Sequence, residues 1–241
     1  MKNRKWIWCL PLVVTVFLTF SPMAYGDLYW ESVAKTTGPT SLPKNLPKLV
    51  RNKILAQFKG TSETIKHYLT SYASRTEQKD HIMIIEYGTM MMYQLNPVNK
   101  TYTKFDMMCM MDDKMGEIAK DSKVTPTNET KKIAGYKCKK YDVTMMGLKS
   151  EHWLSKEVKG YKEFRKISKK MEKRFKKNPR LRQMSMAGIS GEEGFPVKTV
   201  ITTMGMTTTT TLKKIEKKSL SKNLFKVTKG YKLVKLPMPL K

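Results

Sequence analysis

The sequence predicts a single α+β domain built on an antiparallel sheet, and three observations carry that reading. Short β-branched and aromatic runs follow one another closely, separated by glycines and an Asn-Pro turn, which is the pattern of a meander. Two longer segments repeat their apolar residues at helical spacing instead. No linker composition and no solenoid-period repeat divides the chain.

Before the first element comes a leader. Lys2, Arg4 and Lys5 precede an apolar stretch over 6–20, and Ala24-Tyr25-Gly26 offers small residues where a signal peptidase cuts. The stretch is shorter than the ~20 residues that span a bilayer. Residues 1–26 are therefore expected to be a signal peptide cleaved after Gly26, and 27–241 a single exported domain located in the periplasm. Cys9 has no small residue before it and is not a lipid-attachment cysteine.

Residues 27–37 read as a strand, with Leu28, Trp30 and Val33 apolar among polar neighbours. Three prolines and a glycine make 36–48 a loop. Leu46, Val50, Ile54 and Phe58 recur every fourth residue, a short helix ended by Gly60. Residues 64–75 alternate as one strand, and the apolar runs 81–87 and 89–95 flank Gly88. Asn96-Pro97-Val98-Asn99 is a turn, because proline presets φ at its second position. The next strand is 101–105. Asp106 then caps a helix over 107–119, whose Met108, Met111, Met115 and Ile118 share one stripe. Strands over 129–133, 136–145 and 149–155 are punctuated by Gly135 and Gly147. The longest helix, 161–177, has Phe164, Ile167, Met171 and Phe175 on its apolar face and stops at Asn178-Pro179. Residues 196–204 and 206–215 form a hairpin around Gly205, with the five threonines at 207–211 suiting a strand. A last strand covers 224–234.

Charge narrows the partners. The leader holds three basic and no acidic residues, so the net charge falls from +27 for the whole chain to +24 for the exported part. Such a chain is drawn to polyanions. Export excludes nucleic acid and leaves phospholipid headgroups, lipopolysaccharide and acidic polymers. Lysines that merely keep an apolar-binding protein soluble are the other reading. Two cysteines survive cleavage, Cys109 and Cys138, and either a disulfide or two separate buried thiols is consistent with an oxidising compartment. No CxxC pair or zinc spacing accompanies them. The sequons at Asn99 and Asn128 matter only on a eukaryotic secretion route.

Six stretches together resemble one family: GDLYWESV (26–33), YQLNPVNKTYTKF (93–105), VTPTNETKKIAGYKCKKYDV (124–143), SEHWLSKEVKGYKEF (150–164), GFPVKTVI (194–201) and SKNLFKVTKGYKLV (221–234). They are similar to the exported bacterial family called domain of unknown function 4412, placed with the lipoprotein-carrier-like (LolA-like) proteins. The resemblance implies a strongly curved antiparallel sheet, an incomplete β-barrel, with two or three helices over its concave side. In characterised carriers of that fold the interior receives acyl chains. The family brings no catalytic or ligand residues. This chain departs from the classical carriers in starting its mature part with a strand, and their gating arginine has no counterpart here.

On that frame, Ile82, Ile84, Met91, Tyr93, Met108, Met111, Met115, Phe164, Met171 and Phe175 are expected to line an apolar cavity between the sheet and the helices 107–119 and 161–177. The 19 methionines suit it, since an unbranched, polarizable lining adapts to a flexible chain. An ordinary soft core is the plainer reading. A Cu(I) site at Met108, Cys109, Met111 and Met115 is a third, opposed by Cys109 pointing off the stripe. Between Lys159 and Arg182, twelve basic residues face Glu163 and Glu172. Lys166, Lys169, Lys170, Lys173, Arg174 and Lys177 would then touch an anionic headgroup or membrane surface, or simply display charge from a lid helix.

Signals of catalysis are poor. His67, His81 and His152 are isolated, and the SxxK matches at Ser41–Lys44 and Ser219–Lys222 lack the companion triplets of penicillin-recognising enzymes. Asp112 and Asp113, adjacent on a helix, point apart. The expectation is a non-catalytic periplasmic protein without cofactor, binding a lipid or other amphiphile. The alternatives are a structural protein docking on an acidic envelope partner, and copper handling.

Overall fold

The first strand of the chain is the seam of a large sheet. β1 (Leu28–Thr37) pairs on one side with β2 (Thr61–Leu69) and on the other with β11 (Met206–Lys217), both antiparallel. From β2 a meander runs through β3 (Ala73–Gln78), β4 (His81–Glu86), β5 (Met91–Asn96) and β6 (Thr101–Asp106). A second meander, β7 (Lys123–Ile133), β8 (Tyr136–Met145), β9 (Leu148–Ser155) and β10 (Phe195–Thr203), ends on β11. The computed structural model describes residues 26–38, 47–50, 52, 60–109, 123–145, 147–176, 191, 193–203 and 205–234. Among them the sheet is open, with edges at β7 and at β12 (Lys232–Leu233), and only the β12–β6 pair is parallel. One long helix, α1 (Tyr161–Lys176), leaves β9 and returns to β10.

Strands β4 and β10 lie five spacings apart, roughly 24 Å if the sheet were flat. Yet Ile85 and Phe195 belong to apolar clusters that share Trp30 and Phe164. The sheet therefore bends around α1.

Local chemistry sets the turns. Thr70 Oγ1 accepts from the N–H groups of Tyr72 and Ala73 at 3.2 and 2.9 Å, which breaks the expected strand 64–75 into β2 and β3. Asn96 Oδ1 accepts from Val98 and Asn99 N–H at 2.9 and 3.0 Å, closing the anticipated turn. The expected strand 224–234 is mostly something else: a 3₁₀ turn, Lys222–Phe225, followed by the two-residue β12. Ser221 caps that turn, and Leu224 and Phe225 bury against β3, β4 and β5. β7 starts at Lys123, earlier than the expected 129.

Two predicted helices fall largely outside the described residues. Positions 48–50 and 52 are helical, as expected within 46–58. Of 107–119, only 107–109 are described, in a turn where Asp106 Oδ1 accepts from Met108 N–H at 2.8 Å.

Candidate functional site

Tyr161, Phe164, Ile167 and Met171 fall on one face of α1 at spacings of three and four, and that face is pressed on the sheet. Ile167 is 2% exposed. Beneath lie Leu28 and Trp30 of β1, Leu69 of β2, and Ile85 and Tyr87 at the end of β4. Phe195 of β10 meets the Phe164 ring edge-on at 5.0 Å and the Trp30 ring at 5.4 Å. On the opposite face of the helix Lys162, Arg165, Lys166, Lys169, Lys170, Lys173 and Arg174 are exposed. Gly160 starts α1 at φ 108, and a Cβ there would come within 3.0 Å of Leu28 Cδ2. Only glycine lets the chain enter the helix so close to the sheet.

One polar group sits in this apolar layer. His67 of β2 stacks on Trp30 with centroids 4.7 Å apart, and its Nε2 lies 2.9 Å from Ser32 Oγ. Burial pushes its pKa down to about 4, so the ring is neutral. Burial also raises Tyr87 to about 12. In β9, His152 repeats the arrangement: its Nε2 lies 2.9 Å from Ser150 Oγ, and burial lowers its pKa. β1 and β9 are each paired on both edges, so the backbone around Ser32 and Ser150 is largely committed to ladders. Among the described residues no group of three or more His, Cys, Asp or Glu could hold a metal ion.

The structure divides the predicted cavity lining between two faces. Consecutive strand residues point to opposite sides. Ile85 joins the α1 layer, whereas Ile82, Ile84 and Tyr93 pack on the other face against Leu220, Leu224, Phe225, Val227 and Tyr231. Met91 alternates with Tyr93 and shares its face, half-buried. Those four residues therefore do not face the space beneath the helix, and the chain's own C-terminal segment covers Ile82, Ile84 and Tyr93. Phe164 and Met171 lie on the face of α1 that packs on the sheet. Met108 is half-buried in the turn after β6, while Met111, Met115, Lys177 and the Phe175 side chain lie outside the described residues. Of the two alternatives open for the cysteines, the structure has the unbridged one, with only one thiol buried: Cys138 lies among Trp153, Val158 and Phe195, and Cys109 is exposed.

The residues that sequence reasoning left out of the site are Leu28, Trp30, His67 and Phe195. The alternation of Leu28 and Trp30 carried the signal.

A large open antiparallel sheet bent around a basic-faced helix defines the class. The chain belongs to the family "Domain of unknown function (DUF4412)", whose model matches residues 51–231. No curated protein matches it. Among solved structures it is similar to PNGF-II (15% identity, TM-score 0.41, 86% of this chain and 30% of that one). MucB follows at 8% identity and TM-score 0.40, over 86% of this chain and 59% of that one. A LolA superfamily protein from Nitrosomonas europaea shares 7% identity at TM-score 0.33, over 83% and 90% respectively. The chain thus spans less than two thirds of the length of PNGF-II and of MucB.

Proposed function

We propose that the protein is an exported, periplasmic, non-catalytic binding protein that takes an amphiphilic ligand into the layer under α1, with the helix as its lid. The observation that carries the reading is the composition of that layer. One helix covers a continuous apolar floor of Leu28, Trp30, Leu69 and Tyr87, and turns a wholly basic face outward. Each methylene of an acyl chain entering such a floor is worth about 0.8 kcal/mol. The cost is displacing Phe164, Ile167 and Met171, so binding requires α1 to lift. Near an anionic surface, the lysines that face outward favour that movement.

Trp30 is a built-in reporter. In a Trp153→Phe variant of the exported chain, laurate or a lysophospholipid should shift its emission saturably, and native mass spectrometry should find the adduct. Failure of the delipidated protein to bind fatty acid and phospholipid alike overturns the proposal.

A second reading is favoured by the filling of the layer itself, in which Leu28 and Phe195 are 0% exposed. Here the core stays closed and the basic stripe docks on an acidic envelope component. Salt-sensitive binding to phosphatidylglycerol vesicles, lost on changing Lys166, Lys170 and Lys173 to Gln, with no adduct in the mass spectrum, selects it.

A further inference from the structure

On the face turned away from α1, β11 carries one residue more than β1. Glu31 pairs with Lys214 and Ser32 with Leu212, which leaves Lys213 unmatched. Neighbouring residues of a regular strand point to opposite faces, but at a bulge they are re-aimed. Lys213 and Lys214 consequently both reach Glu31, each 3.2 Å from one carboxylate oxygen. Tyr29 O–H donates to Oε1 of the same carboxylate at 2.6 Å. Beside this cluster opens a pocket of about 410 Å³ lined by Val33, Lys35, Thr209, Thr211, Leu212 and Lys213. The register sets Lys35 across from Thr209 and Val33 across from Thr211, and brings Lys198 of β10 next to Thr211.

We propose that this bulge-built pocket binds a phosphate group carried on a small organic body. The donors fit that chemistry. Lys35, Lys213, Thr209 and Thr211 all contribute to the pocket's lining, and a phosphate has enough acceptor oxygens for two ammonium and two hydroxyl groups swung towards it. Glu31 and Glu216 are set against Lys213, Lys214 and Lys35, so the neighbourhood stays net positive. Val33 and the methyl groups of Thr209 and Thr211 give the remaining volume an apolar wall, and 410 Å³ is more than a bare ion needs. The site stands on the opposite face from the α1 layer and does not depend on it.

Calorimetric titration of the exported chain with inorganic phosphate, glycerol phosphate and a short-chain lysophosphatidic acid below its micelle concentration tests this. Saturable binding is expected, weakened tenfold or more by Lys35→Gln and by Lys213→Gln, and unchanged by Lys229→Gln in an exposed turn. Tighter binding of the lipid than of glycerol phosphate identifies a lipid headgroup, and equal binding a soluble phosphate ester. Lys35 takes no part in the Glu31 cluster, so Lys35→Gln keeps the test decisive where Lys213→Gln unsettles the fold. No saturable binding of any probe, unchanged affinity in Lys35→Gln, or an equal loss in Lys229→Gln overturns the proposal.

Discussion

Protonation of Glu31 and of His67 acts on the fold in separate pH windows. The Tyr29 hydrogen bond, and then the two lysines, hold the Glu31 carboxyl down to about 2 against an ordinary value of 4.5. The folded state thus favours the charged form. Its contribution is complete above about pH 4.5 and is lost as pH falls towards 2. His67 is lowered from 6.5 to about 4 by burial, so the folded state favours its neutral form. That contribution is complete above about pH 6.5 and is lost as pH falls through 4, by up to about 3 kcal/mol. Urea midpoints at pH 7, 5 and 3 separate the two. His67→Phe should flatten the drop from 7 to 5. Glu31→Gln should keep that drop and lessen the one from 5 to 3. Identical profiles for both variants and the wild type would show that neither group titrates with folding.

At the scale of elements, the hairpin β7–β8 turns through Ala134 at φ 48 and Gly135 at φ 86, two residues between Ile133 and Tyr136. A turn with both central residues at positive φ prefers Asn-Gly, and alanine is strained there. Ala134→Asn should therefore stabilise the protein by about 0.5–1 kcal/mol in chemical denaturation. For α1, Ile167→Ala should cost about 2–5 kcal/mol, whereas Lys166→Ala on the exposed face should stay within about 0.5 kcal/mol. Equal effects would mean that the helix does not rest on its apolar stripe. The same elements mark how far the sequence could be read. Helix α1 and strands β8, β9 and β11 announce themselves through period and glycine punctuation. Thr70 did not, because a threonine inside an alternating run favours a strand as readily as a turn. The face assignment was beyond reach for a related reason. Residues 82–85 are apolar throughout, and a run buried on both sides carries no alternation to say which side meets the helix. Apolar content reported burial, and burial alone merged two layers into one expected cavity.

For the molecule as a whole, β1 decides whether the two meanders are one folding unit. The first is built from neighbouring strands joined by short loops, and so is the second except between β9 and β10, where α1 intervenes. Within the sheet they meet where β1 bridges β2 and β11, with Leu28 opposite Leu69 on one side and Lys217 on the other, and α1 packs across both. The β1–β11 pairing links residues almost the length of the exported chain apart, and such contacts form late because their loop entropy is spent before they are rewarded. A proline at the seam removes a ladder hydrogen bond and clashes within a central strand. The edge shows the contrast, since β7 already accommodates Pro126 beside a bulge. Ala34, 6% exposed between Glu63 and Thr210, is the informative site. Ala34→Pro should abolish cooperative unfolding and remove amide-exchange protection from β4 and β9 together, while Thr125→Pro in β7 should leave β4 protected. Retained protection in either meander of Ala34→Pro would show that it folds alone, and that β1 joins two finished halves instead of completing one.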